Sequence, residues 1–467
     1  MTAWVQQTAG RRPWVLILVV WAWLYLPCLG TAELHHEEGR RAGTAREMLA
    51  RGEWAMPVFQ GQPYLTKPPG YYWVLMASSR LFGGFNEWSI RIPSALSVLI
   101  CALLAGKIAR ASGGHALVGG VAMLVMPEVW GKGQLGEIDA VFMAQVFASI
   151  ALAWRAVRRP GDYAAAVLSG LFLGWAIITK GPAAPALYYL ALAVWLAWER
   201  RARWLLSVQH AAVVVVAAAI VGTWIAFLAR RMDLANAAQV WAGEVGAGRF
   251  EETAEASLKS FFVFPFGVLG GLLPGTLALI GWVFRRPEHP EGQSARRRLL
   301  SGTLPGFVML WIHGRRVRYV LPVAPLAAIA AGIVFARPLA RWFDSRKSVI
   351  VAGVVLLLAG VVRIGIMESR AEKTGSRKTG AELARILPAD TPVHSTVYGR
   401  YWNACFYADR PFVAVDHPSK IPDSATRALV FKEEMPLLAD RSPRILLEGE
   451  MRRSQPIVVV ELQQRLR

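Results

Sequence analysis

The chain alternates long apolar runs with short polar connections. Runs rich in Leu, Val, Ala, Ile and Trp occupy residues 13–30, 89–107, 115–129, 137–154, 163–179, 182–198, 209–229, 261–284, 299–312, 318–336 and 348–366. A bilayer core of about 30 Å is crossed by a helix of about 20 apolar residues, so each run predicts a membrane span. The expected fold class is mainly α: a polytopic transmembrane bundle of about 11–13 spans, because the third and ninth runs are short. Smaller apolar pieces near 70–83 suit the membrane interface. Residues 38–49 place Ala42, Ala45, Met48 and Leu49 on one helical face, the pattern of an interfacial amphipathic helix.

Beyond residue 366 the pattern changes. Five short apolar runs (TPVHSTVY, PFVAV, RALVFK, RILLEG and PIVVVEL) are separated by polar turns and helical stretches. They predict a small α/β soluble domain. The expected organisation is a transmembrane domain over 1–366 followed by an α/β domain over 367–467. There are no internal repeats.

Charge gives the direction of threading. The net charge is +20, which in a soluble protein would suggest nucleic acid, but here the cations cluster between apolar runs. Lys107 and Arg110, Arg155, Arg158 and Arg159, Arg200, Arg201 and Arg203, Arg296, Arg297 and Arg298, and Arg337 to Lys347 all fall in alternate connections with few acids. By the positive-inside rule these face the cytoplasm, so the N-terminus is expected inside and the C-terminal domain outside. No nucleic-acid partner is expected. A basic flank followed by a long apolar stretch without a small-x-small site suggests a retained first span. Three scattered cysteines, Cys28, Cys101 and Cys405, form neither a disulfide framework nor a zinc motif.

The candidate chemistry gathers on the opposite, outer face. Glu37 and Glu38 open the interfacial helix, with Arg40 beside them. Lys67 precedes Pro68-Pro69, which hold the backbone extended, with Tyr64 nearby. Glu137 and Asp139 sit at the outer end of the fourth run and Lys180 at the outer end of the fifth. Arg315, Arg316 and Arg318 break the positive-inside trend between the ninth and tenth runs, and ionisable groups kept at a membrane edge against that trend are functional candidates. Carboxylates can take a proton from an attacking hydroxyl, while Lys and Arg can hold a phosphate and stabilise it as a leaving group. Together these suit transfer from a phosphate-activated donor, and the membrane setting suggests a lipid donor. The same residue types also serve plainer ends: acids favour helix starts, lysines snorkel and arginines meet lipid headgroups. His35-His36 could suggest a metal, but adjacent histidines rarely face one ion.

The stretch EEGRRAGTAREMLARGEWAMPVFQGQPYLTKPPGYYW, followed by LFGGFNEWSIRIPSAL, resembles the first outer loop of the protein O-mannosyltransferase and aminoarabinose (lipid A) transferase superfamily. GEIDAVFMAQ, GLFLGWAIITKGP and RVRYVLPVAPLAAIAAG resemble further motifs of that family in the same order. The resemblance implies the GT-C fold, a polyprenyl-phosphate-linked sugar donor, an outward-facing site and inversion at the sugar carbon. It implies catalytic roles for Glu37, Glu38 and Asp139, with Glu37 standing where the family has Asp. It implies donor contacts for Lys67, Tyr64, Arg40 and Lys180. Thr66 stands where the aminoarabinose branch has an acid that joins a metal site, which argues against a metal, so no cofactor is expected. The expected protein is a glycosyltransferase of the cytoplasmic (inner) membrane acting on a lipid, glycan or protein acceptor. A flippase for lipid-linked sugars would want charges at the bilayer midplane and inverted repeats. A non-catalytic scaffold is the reading that the Glu37 departure leaves open.

Overall fold

The computed structural model describes residues 11–247, 254–284, 290–313, 316–343, 345–399, 401–451 and 454–463. The chain groups into two compact units, one over Met1–Pro27, Thr66–Tyr71 and Arg91–Val362, the other over Cys28–Leu65, Tyr72–Ile90 and Arg363–Arg467.

The first unit is helical. Among the described residues, six helices are long and apolar enough to cross a membrane: Glu87–Ala111, Ile138–Arg158, Tyr163–Lys180, Val208–Ala229, Val317–Val334 and Arg346–Ser369. Pro13–Tyr25, Ala116–Val125 and Ala183–Trp198 are apolar but shorter, and the run 299–312 lies within the helix Pro290–His313. The chain is a multi-pass membrane protein. Val215, Val355 and Leu358 remain exposed on two of the spans, as side chains facing lipid would be.

Small residues set the packing. A Cβ on Gly332 would lie 2.9 Å from the Gly119 Cα, and one on Gly170 would lie 2.5 Å from the Val213 carbonyl oxygen. Such close backbone approach is what van der Waals packing between helices requires where lipid supplies no hydrophobic drive. Aromatic N–H and O–H groups satisfy carbonyls between helices: Trp21 Nε1 donates to Ala95 O at 2.8 Å and Tyr25 Oη to Leu124 O at 3.0 Å.

Two predicted spans are broken. The run 261–284 forms the helices Leu258–Gly271 and Gly275–Phe284, which meet at 104°. Pro274 lies at the break and has no N–H to continue the first helix. In the run 115–129, the helix Ala116–Val125 stops at Met126 and Pro127 opens a separate short helix, Pro127–Gly133. A third, 318–336, begins as a 3₁₀ turn over Val317–Val323 and continues as the helix Ala324–Val334.

The second unit combines the first loop with the C-terminal residues. Strands β1 (Val58–Phe59) and β2 (Gln62–Pro63) form a small hairpin. The five C-terminal apolar runs become β3 (Val393–Ser395), β4 (Phe412–Ala414), β5 (Arg427–Phe431), β6 (Arg444–Gly449) and β7 (Ile457–Glu461), in the order β4-β3-β5-β7-β6. The β4-β3-β5 pairs are parallel, and β5-β7 and β7-β6 antiparallel. Strand alternation splits the core: Leu429, Phe431, Ile457 and Val459 pack with Leu383, Tyr401 and Cys405, while Ala428, Val430, Val458 and Val460 pack with Ile421 and Leu438. The helix Glu38–Arg51 buries Ala42 with Leu34, Ile90 and Phe406, so protein covers that part of its apolar face.

Candidate active site

In the first unit the charges collect at one end of three elements. Asp139 occupies the first turn of Ile138–Arg158, where the helix dipole favours an anion, and is 4% exposed. Lys180 closes the helix Tyr163–Lys180 and donates to Asp139 Oδ1. Its ammonium also lies over the rings of Phe142 and Tyr319, at 5.1 and 4.6 Å from their centroids. Glu137 holds the N-cap position, but its side chain makes no cap and takes Lys132 Nζ at 2.7 Å instead. Arg318 enters from the 3₁₀ turn, close enough to act electrostatically on both Asp139 and Glu137. Its Nε–H is buried without an acceptor among the described residues. Arg316, at the start of that turn, is exposed. Arg315 lies outside the described residues.

The lysine-proline segment joins this end of the unit. Lys67 donates to the Thr66 carbonyl at 2.9 Å. Three residues on, Gly70 packs on the terminal turn of the Lys180 helix, where a Cβ would meet Ile178 O at 2.7 Å and Thr179 Oγ1 at 2.8 Å. Only glycine permits that approach, so the backbone carrying Lys67 is seated against the helix end carrying Lys180.

The second unit holds the other candidates. Glu37 precedes the helix Glu38–Arg51 and accepts from Arg40 and, at 3.5 Å, from Arg41 Nη2. Its side chain is 27% exposed, whereas that of Glu38 is fully buried and accepts the His35 backbone N–H at 3.0 Å. Arg40 stacks over Trp402, 4.2 Å from the ring centroid, and reaches the face of Tyr64. Arg41 donates to Tyr72 Oη at 3.0 Å and Tyr64 Oη at 3.3 Å. Burial opposes the Arg41 charge, but the two phenols favour it more and hold its pKa above the ordinary value. Burial pushes the Tyr72 phenol up to about 12 against the pull of Arg41.

The structure therefore brings Asp139, Glu137, Lys180 and Arg318 into one cluster and adds Glu128 and Lys132, which sequence reasoning missed. Glu128 interacts with Lys132, Asp139 and Glu137. The signal for both was the Pro127 helix break. In the second unit it joins Glu37, Arg40 and Tyr64 and adds Arg41, Tyr72, Trp402 and Asn403. Arg41 stood in plain sight beside Arg40, but nothing local marks the C-terminal pair. Among the described residues, no three or more His, Cys, Asp or Glu side chains are placed to hold a metal ion.

Comparison with known proteins bears on the family and the fold. Residues 66–227 match the family described as dolichyl-phosphate-mannose-protein mannosyltransferase. The undecaprenyl phosphate-alpha-4-amino-4-deoxy-L-arabinose arabinosyl transferase of Edwardsiella ictaluri is 27% identical over 91% of this chain and 80% of its own length. The chain spans only about three-fifths of further relatives of that name. The crystal structure of ArnT from Cupriavidus metallidurans in the apo state superposes with a TM-score of 0.75 at 20% identity, covering 98% of both chains. The same enzyme bound to undecaprenyl phosphate gives 0.70 at 22% identity and the same coverage. These two likenesses show the GT-C fold. Fold, family match and ordered motifs together support a GT-C glycosyltransferase of the superfamily that unites protein O-mannosyltransferases with aminoarabinose transferases.

Proposed function

We propose that this chain transfers a sugar from undecaprenyl phosphate, or a closely similar polyprenyl phosphate, to an acceptor on the outer face of the cytoplasmic membrane. The observation that carries the reading is the buried Arg318 Nε–H, which lacks an acceptor among the described residues and lies beside the Lys180–Asp139 pair. A donor fixed in place without a protein partner suits a phosphate oxygen. The relatives named as undecaprenyl-phosphate arabinosyl transferases, and the ArnT structure holding undecaprenyl phosphate, support the same donor class.

In this reading Arg318, Lys67 and Lys180 hold the donor phosphate. Asp139 accepts from Lys180 and so fixes it in place. The acceptor oxygen forms a bond to the anomeric carbon while the carbon–oxygen bond to the polyprenyl phosphate breaks. The electron pair leaves on the phosphate, where the cations stabilise it. Glu37, the more exposed of the two loop carboxylates, is the proposed base for a hydroxyl acceptor, a role that rests on the family resemblance of its loop. Arg40, Arg41 and Tyr64 hold Glu37 in position, and Glu38 braces the turn before it. No metal takes part. The N-terminus lies in the cytoplasm and the C-terminal sheet outside, as the basic connections direct.

The experiment is transfer from a panel of labelled undecaprenyl-phosphate sugars to lipid, glycan and peptide acceptors by the purified enzyme. Labelled product from at least one pair supports the reading. Hydrolysis-free recovery of every donor, with no product on any acceptor, contradicts it.

A further inference from the structure

At the opposite end of the helix Ile138–Arg158 from Asp139 lies a cavity of about 520 Å³. Sixteen to nineteen residues separate Asp139 from Arg155 and Arg158, which at 1.5 Å per residue is roughly 24–29 Å, close to the thickness of a bilayer core. The cavity is therefore at the other membrane face, remote from the site described above.

Its polar lining consists almost wholly of hydrogen-bond donors. Lys107, Arg155, Arg158, Arg159 and Arg298 all border it, with the Ser112 hydroxyl and the Trp154 indole, and no carboxylate is among its lining residues. Arg155 is paired with Asp162 at 2.8 Å. Among the described residues, Lys107, Arg158 and Arg159 have no carboxylate within ion-pair distance. Arg298 is only 8% exposed and lies within electrostatic reach of the exposed Arg158, a like charge, and of Glu199, so one buried cation borders the cavity among exposed ones. Trp154 is 3% exposed, and its Nε1–H has no acceptor among the described residues. Mutually repelling cations and an orphaned donor around one cavity are relieved together by an anion with several acceptor oxygens. The remaining wall, Leu104 and Ile108 among it, is aliphatic, which suits an amphiphile more than a free ion.

We propose that this cavity is a binding site for the phosphate group of an anionic glycerophospholipid in the leaflet opposite the active site. The ligand is recognised by its phosphate oxygens and by acyl chains lying along the aliphatic wall. Its role is to neutralise the cation cluster that joins three helices, and so to stabilise the bundle. The inference stands apart from the transfer reaction: it holds or fails whatever sugar the enzyme moves.

The test uses the full-length protein in nanodiscs of phosphatidylcholine alone or with cardiolipin or phosphatidylglycerol, read by native mass spectrometry and by thermal unfolding. The wild type is expected to retain anionic lipid through delipidation and to unfold at a higher temperature when it is present. Arg158→Ala and, on a different helix, Lys107→Gln are each expected to weaken retention by about tenfold, the loss of one charge-assisted hydrogen bond. Equal retention of phosphatidylcholine and the anionic lipids by the wild type would overturn the site without reference to any variant. Retention unchanged in both variants would do the same. Inorganic phosphate reproducing the thermal shift, with no selectivity among lipids, would overturn the lipid assignment.

Discussion

Gly39 and Asn403, 364 positions apart, are joined by a hydrogen bond from the Gly39 N–H to Asn403 Oδ1 at 2.8 Å. The asparagine amide also donates to the His36 carbonyl at 3.3 Å. An orphan N–H in the first turn of the helix Glu38–Arg51, and the carbonyl of the turn before it, are thereby satisfied by a side chain from the helix Tyr401–Ala408. A Cβ on residue 39 would lie 2.5 Å from Asn403 Oδ1 and 2.7 Å from its Cα, so the approach demands glycine.

Gly39→Ala is expected to force these two helices apart and to destabilise the second unit by about 1–3 kcal/mol, the cost of overpacking a close contact. Limited proteolysis should then cut the C-terminal residues faster than in the wild type. Because Glu37 and Arg40 flank the contact, transfer activity should fall with it, while Asn403→Asp should retain more of the docking than Asn403→Leu.

Lys180 and Asp139 form a pair in which both side chains are largely buried, at 14% and 5% exposure. Removing one partner strands the other charge, at a cost of about 3–5 kcal/mol. Lys180→Met and Asp139→Asn should each lower the unfolding temperature, and the double variant should lie well above the sum of the two losses. Strict additivity in that cycle would show that the pair does not act as a unit.

Tyr72 supplies a pH signature. Its phenol is pushed from 10.0 up to about 12, so the folded protein holds this proton where the unfolded chain releases it. The contribution to stability is complete below pH 10 and is lost as pH rises from about 10 to about 12. Tyr72→Phe should flatten the alkaline limb of the stability curve in that window, and an unchanged limb would contradict the burial of the Arg41–Tyr72 contact.

How much of this was legible beforehand depended on how local the cause was. Apolar runs such as 209–229 and 137–154 became helices because a span needs little beyond its own length and composition. The five C-terminal runs became five strands of one sheet because short, largely β-branched apolar runs bounded by polar turns, such as Arg427–Phe431 and Ile457–Glu461, are local signals. The break in 261–284 was less visible, since Pro274 sits within a run that is apolar on both sides. Asp139 and Lys180 were found as charges at span ends, but their pairing was not, because it depends on two helices lying side by side. The role of Gly39 was invisible, since its partner Asn403 belongs to a segment that carries no local mark of the loop it holds.

Metal dependence gives a separate test. With Thr66 before Lys67, and no His, Cys, Asp or Glu group placed for a metal among the described residues, transfer should survive prolonged treatment with EDTA. Loss of turnover on chelation, restored by a divalent cation, would show that a metal takes part after all.

The central claim is that Lys67, Lys180 and Arg318 hold the phosphate of a lipid-linked sugar. The most direct measurement is the affinity and turnover of the purified enzyme with a labelled undecaprenyl-phosphate sugar, in the wild type and in Lys67→Ala, Lys180→Met and Arg318→Gln. Each variant is expected to lose at least about tenfold in donor affinity, in turnover or in both, the equivalent of one charge-assisted contact. Full donor affinity and full turnover in folded preparations of all three would contradict the account.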